Sequence, residues 1–142
     1  MKQELDEYLC KVFPKIFAER NLPMQETAMC WGFDCGDGWF NIINQLCQNI
    51  QHHIDWKNKE KEVVAQVVVS QVKEKYGTLR FYMTVESKEM SSLIREAEEK
   101  SSTTCEVCGE QGEIRNDCGW KGGRWFKTMC DKHYLELKAE RQ

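Results

Sequence analysis

Apolar residues recur at helical spacing through the first stretch of the chain. Leu5, Leu9, Val12, Phe13, Ile16 and Phe17 share one face, which predicts a helix over residues 2–20. Pro14 lies inside that run, lacks a backbone donor and crowds the preceding turn, so a kink or break is expected there. Asn21-Leu-Pro-Met24 ends the element, and the Gly- and Asp-rich residues 29–38 read as a loop. A second stripe of Trp39, Phe40, Ile42, Ile43, Leu46, Ile50 and Ile54 predicts a helix reaching about Trp56, with Asp37 as its N-cap.

After a charged link at residues 57–62 the period changes from helical to alternating. Val63 to Lys75 reads as a long β-branched strand, and Lys75-Tyr-Gly-Thr78 reads as a turn. The chain then alternates, with Leu79, Phe81, Met83 and Val85 on one face and Thr78, Arg80, Tyr82 and Thr84 on the other, so this strand pairs back as a hairpin. Ser87 is placed to cap a third helix carrying Met90, Leu93, Ile94 and Ala97. The order predicts an α+β fold in which helices pack on a β-hairpin or a small antiparallel sheet. Two strands make a marginal sheet, so either residues 24–33 add a third strand or the chain forms a homodimer through the hairpin edge.

Cysteine spacing changes the picture at the C-terminal end. Cys105-Glu-Val-Cys108 and Cys130-Asp-Lys-His133 repeat the two-residue gap that lets two side chains reach one metal ion, which points to a Zn2+ site made of Cys105, Cys108, Cys130 and His133. Five glycines and three large aromatics between the pairs suit a hairpin, and residues 134–142 are helix formers without a breaker. Knuckle, hairpin and helix in that order predict a treble-clef-like zinc module over residues 103–142, following an α+β domain over residues 1–102. Gly109, directly after the second Cys, is expected to supply a positive φ. Cys118 lacks a partner at ligand spacing and is left outside the site.

A four-ligand zinc is a structural device, whereas a catalytic one keeps an open position and a nearby base. The His-x-Glu and Pro-Cys-x-x-Cys deaminase pattern and the HExxH pattern are both absent, and the chain has three histidines in all, His52, His53 and His133, so no enzyme is predicted. A composition of 41% hydrophobic and 30% charged residues argues for a folded chain. The formal charge of −3 gives no global attraction to nucleic acid or anionic membrane, and no apolar run approaches the about 20 residues that span a bilayer. The N-terminal residues carry no apolar secretory core, so a cytoplasmic protein is expected despite its eight cysteines.

Three further groups have two readings each. Cys30, Cys35 and Cys47 with His52 or His53 are either a second metal site or buried thiols, the latter favoured by Cys47 on the apolar stripe; His53 on that stripe reads as a hydrogen-bonded core histidine. Trp31, Phe33 and Trp39 are either aromatic anchors for a protein partner or the closure of a small core. Arg115, Lys121, Arg124 and Lys127, interleaved with Trp120 and Trp125, are either a nucleic-acid-binding hairpin or a solvated finger. From Cys105 onward acidic and basic side chains balance, which ranks a protein partner above nucleic acid.

Cys30-Trp-Gly-Phe-Asp-Cys-Gly-Asp-Gly-Trp-Phe40, Gln71-Val-Lys-Glu-Lys-Tyr-Gly-Thr-Leu-Arg-Phe-Tyr82, Cys105-Glu-Val-Cys-Gly109 and Lys127-Thr-Met-Cys-Asp-Lys-His133 resemble a family of small, largely uncharacterised bacteriophage and prophage proteins. The resemblance runs over nearly the whole chain. It implies a phage-related, intracellular setting and brings no established activity; small phage accessory proteins as a class often bind and alter a host factor, including a defence component. The expectation is therefore a non-enzymatic zinc-binding interaction protein, with a nucleic-acid-binding accessory protein as the alternative.

Overall fold

The computed structural model describes residues 1–84 and 87–142, so the strand position expected for Val85 lies outside the described residues. The first helix, α1, covers Gln3–Val12 and is shorter than its stripe. Pro14 explains the early stop: its ring disfavours the helical region for the residue before it, and Phe13 sits at φ −121° and ψ 60°. Residues 14–21 continue as turns and carry Ile16 and Phe17 into the core beside Phe13. Val12, expected inside, is 45% exposed, because the stripe of a helix that ends there no longer faces the sheet at that position.

A short turn of helix at Ala28–Trp31, capped by the Thr27 hydroxyl accepting from the Met29 amide at 3.1 Å, leads into strand β1, Phe33–Asp34. One turn of tight helix at Asp37–Trp39 then runs into α2, Phe40–Lys59. Asp37 does not cap α2. Its carboxylate instead accepts the Lys2 amide at 2.7 Å, since the intervening turn moves the cap position to Trp39.

Strand β2 is Val69–Lys75 and β3 is Thr78–Met83. The expected strand began at Val63, but among the described residues β3 pairs back only as far as Val69, with one further bond from the Thr84 amide to the Val68 carbonyl, and β1 pairs only with Val72 and Lys73. Val63 is consequently 97% exposed. The third strand is therefore β1, and it lies parallel to β2, so the three-stranded sheet is mixed where an antiparallel one was expected. Ser87 caps α3, Lys88–Ser101, by accepting the Met90 amide at 3.2 Å.

The main core joins Leu9, Phe13, Ile16 and Phe17 to Ile43, Leu46, Ile50 and Ile54 of α2, to Val72, Leu79 and Phe81 of the sheet, and to Met90 and Ala97 of α3. Burying each such aliphatic side chain contributes about 1.5–3 kcal/mol, which is why a stripe that faces the sheet determines the packing. Beyond α3 the chain forms a knuckle at residues 105–109, a small antiparallel pair of β4 (Glu113–Arg115) with β5 (Lys127–Met129), and helix α4 (Asp131–Glu140). Cys105, Cys118 and Met129 form a second, smaller core beneath this hairpin. No helix among the described residues is long and apolar enough to cross a membrane.

Candidate metal centre

The Cys105 to Gly109 knuckle is closed by the Gly109 amide on the Cys105 carbonyl at 2.9 Å and the Cys105 amide on the Glu110 carbonyl at 2.7 Å. Gly109 sits at φ +82°, the conformation expected of it, where an L side chain is strained. From the other side, β5 delivers Cys130 to the N-cap of α4, and the first helical turn points His133 back at the thiols. The ligand atoms of Cys105, Cys108, Cys130 and His133 all lie within 4.8 Å of one another. Cys118 is buried next to Cys105 yet stays outside the group.

Distances test the fit. Zinc–sulfur and zinc–nitrogen bonds of about 2.3 and 2.05 Å at a tetrahedral angle separate two sulfurs by about 3.8 Å and a sulfur from a nitrogen by about 3.6 Å. Cys108 Sγ and Cys130 Sγ are 3.8 Å apart, while His133 Nδ1 is 3.7 Å from Cys105 Sγ and 3.2 Å from Cys130 Sγ. The group can hold a metal ion and is consistent with zinc. Amide donors are already in place: burial acts to raise the Cys105 thiol, but the backbone N–H groups of Cys130, Cys108 and Val107 outweigh it and bring the pKa down to about 7. His133 Nδ1 is the ring nitrogen that faces the thiols, and the Glu136 carboxylate lies 3.9 Å from Nε2 on the opposite ring edge.

The knuckle rests on the turn before α2. A Cβ on Gly38 would overlap the Cys105 carbonyl oxygen and lie 2.6 Å from the Gly109 nitrogen, so only glycine permits this approach. The Gly38 amide donates to the Glu106 carbonyl at 2.8 Å, the Gly36 amide to Glu106 Oε2 at 2.9 Å, and the Trp39 indole N–H to the Thr104 carbonyl at 2.9 Å. Lys127 completes the seat by placing its ammonium 2.9 Å from Glu74 Oε1 and 3.4 Å from Glu106 Oε1. Burial acts to lower the Lys127 pKa, and Glu106 and Glu74 together outweigh it and hold it above the ordinary lysine range. Glu106, a spacer residue between two ligands, is itself 7% exposed.

The other candidate residues divide. Trp39 is fully buried and Phe33 is 4% exposed, so both belong to the core; Trp31 alone of that trio stands on the surface, at 70% exposure. Of the basic hairpin set, Arg115 pairs with Glu113 and Asp131 and stacks on Tyr134, and the half-buried Lys127 is held between Glu74 and Glu106, so neither is available to a phosphate backbone. Lys121, Arg124, Trp120 and Trp125 are exposed. Cys35 and Cys47 are buried thiols, burial pushing Cys35 up to about 12 and Cys47 higher still. Among the described residues no second group of three or more ligating side chains converges. His53 is not a core residue: it is half-buried in a shallow cleft with His52, Lys88 and Glu89, because α3 covers the stripe only up to its own first turn. The tethering roles of Glu74 and Glu106 carry no signal in the sequence beyond two carboxylates of unremarkable spacing.

No protein-family model matches the chain, and comparison with curated proteins and with solved structures gives no significant match.

Proposed function

We propose that this chain is a non-enzymatic zinc-binding interaction protein, in which Cys105, Cys108, Cys130 and His133 hold one Zn2+ that staples knuckle, hairpin and α4 into a platform for another protein. The observation that carries the reading is the convergence of three thiols and one imidazole nitrogen, all within 4.8 Å of one another. Thiolate-rich donor sets select zinc over magnesium or calcium. Four protein ligands fill a four-coordinate ion, which leaves no position for a substrate or an activated water. Exposed Trp31, Trp120 and Trp125 supply the kind of anchor that concentrates binding energy at protein interfaces. The resemblance to small phage proteins makes a host or phage protein, including a defence component, the expected partner.

A second reading, nucleic-acid binding, keeps the exposed pairs Trp120 with Lys121 and Arg124 with Trp125 as its support. Elemental analysis of reduced, purified protein tests the metal: one zinc per chain is expected, falling to near zero in Cys105→Ser with Cys130→Ser. Zinc retained by that double variant would overturn the ligand assignment. Affinity capture from bacterial lysate, with and without nuclease, separates the two partner readings, since a protein partner survives nuclease treatment.

A further inference from the structure

The tip of the β2–β3 hairpin and the chain leading into β5 enclose a groove of about 440 Å³, lined by Glu74, Lys75, Tyr76, Arg124, Trp125 and Phe126. We infer that this groove is the docking site for a short acidic protein segment that carries one apolar or aromatic anchor residue. The inference rests on the reading of the chain as a protein-binding module and assigns the surface and the partner's chemistry.

Four observations converge here. First, the walls are aromatic and open: Tyr76 is 67% exposed and Trp125 54%, and the Tyr76 and Phe126 rings meet edge to face at 6.2 Å, one from each wall. Second, Tyr76 holds a positive φ of 53° beside Gly77 at φ 85°, the pair of left-handed positions that a two-residue hairpin turn needs. Asn or Gly suits the first position, and a bulky ring there is disfavoured, so the fold carries an unfavourable backbone state while leaving the ring in solvent. Third, the Thr128 hydroxyl donates to the Gly77 carbonyl at 2.6 Å across the base of the groove, so the two walls are joined and little ordering remains to be done on binding.

The fourth observation is charge. Glu74, the one carboxylate in the lining, is occupied by Lys127 and is 13% exposed at its side chain. Lys75 lies over the Tyr76 ring and Arg124 over the Phe126 ring, at 5.7 and 5.3 Å, and neither has a carboxylate partner among the described residues. An apolar slot between two uncompensated cations attracts acidic flanks and rewards a buried anchor. A polyanion fits less well. Two cations on opposite walls do not make a track for successive phosphates, Arg115 and Lys127 are neutralised internally, and the chain as a whole is acidic.

The test is selection from a displayed random dodecapeptide library on immobilised, zinc-loaded protein, with oligodeoxythymidine binding measured in parallel. Enriched peptides are expected to share one large apolar residue flanked by Asp or Glu. Their affinity should fall by about tenfold or more in Trp125→Ala and in Arg124→Glu. Tyr76→Asn guards against a folding artefact, because it gives the turn its preferred residue: the unfolding midpoint should hold or rise while peptide affinity falls by a similar factor. Peptides with a basic consensus, enrichment indifferent to Trp125 and Tyr76, no enrichment at all, or a preference for oligodeoxythymidine would each overturn the assignment. If a captured protein partner still binds Trp125→Ala and Tyr76→Asn at full strength, the groove is wrong and the broader reading survives; loss of zinc from the native protein would sink the broader reading alone.

Discussion

Replacing Lys127 with Met keeps the unbranched apolar stem of the side chain and removes the ammonium, which sits 2.9 Å from Glu74 and 3.4 Å from Glu106. The two carboxylates have side-chain exposures of 13% and 9%, and the substitution leaves them facing one another without a cation. Removing one partner of a buried ion pair costs about 3–5 kcal/mol. The lower end applies, since Lys127 retains 23% exposure and the Gly36 amide still donates to Glu106. A loss of about 3 kcal/mol is a large part of the about 5–15 kcal/mol that holds a domain together. Urea unfolding in excess zinc, followed by tryptophan emission, measures it. Adding Glu106→Gln to Lys127→Met should restore about 1–2 kcal/mol, because the charge stranded by the first change is removed by the second. A Lys127→Met effect below about 1 kcal/mol, or strict additivity with Glu106→Gln, would refute the tether and return Lys127 to the exposed cations of the hairpin.

Gly38→Ala forces a Cβ against the Cys105 carbonyl oxygen and to within 2.6 Å of the Gly109 nitrogen, both backbone atoms that cannot shift without moving a ligand. It should cost about 2 kcal/mol and weaken zinc retention against a chromogenic chelator; unchanged retention would show that the knuckle does not depend on its seat. Brief alkylation of native, zinc-loaded protein near neutral pH should spare Cys35 and Cys47, whose thiols burial keeps protonated, and chelation before alkylation should add label at Cys105, Cys108 and Cys130. Mass spectrometry reads the sites, and early labelling of Cys35 would contradict its buried placement.

Legibility followed the range of the interaction. The metal cluster was readable because its ligands lie in two local pairs, and each pair imposes its own spacing on the sequence. The β2–β3 hairpin and the Ser87 cap were readable for the same reason, since alternation and an N-cap are patterns within a few residues. Boundaries that depend on distant partners were not. Val63 and Val64 have the composition of a strand, yet no strand among the described residues pairs with them, and two residues as unpromising as Phe33 and Asp34 become a strand because β2 is there. The aromatic and basic candidates failed in the same way: Trp31 and Trp39 look alike in the chain, yet Trp39 packs in the main core with its indole N–H on the Thr104 carbonyl while Trp31 is left in solvent.

The contacts of residues 36–39 make the metal cluster a matter for the whole chain. Gly36, Gly38 and Trp39 all bond to residues 104–106, and the turn they form opens α2, whose apolar face is half of the main core. Cys105 therefore has its position set twice, by the cluster above it and by the α2 turn below. Loss of either should loosen the other, because a knuckle without ligands no longer presents the Glu106 and Thr104 carbonyls, and Trp39 without its acceptor holds a buried N–H unpaired. The same linkage reaches the hairpin tip: Thr128 of β5 bonds both Glu106 and Gly77, so the strand that delivers Cys130 also sets where Tyr76 stands relative to Phe126. The proposed metal site thus has a use in this fold, which is to hold two surface loops from distant parts of the chain at a fixed separation.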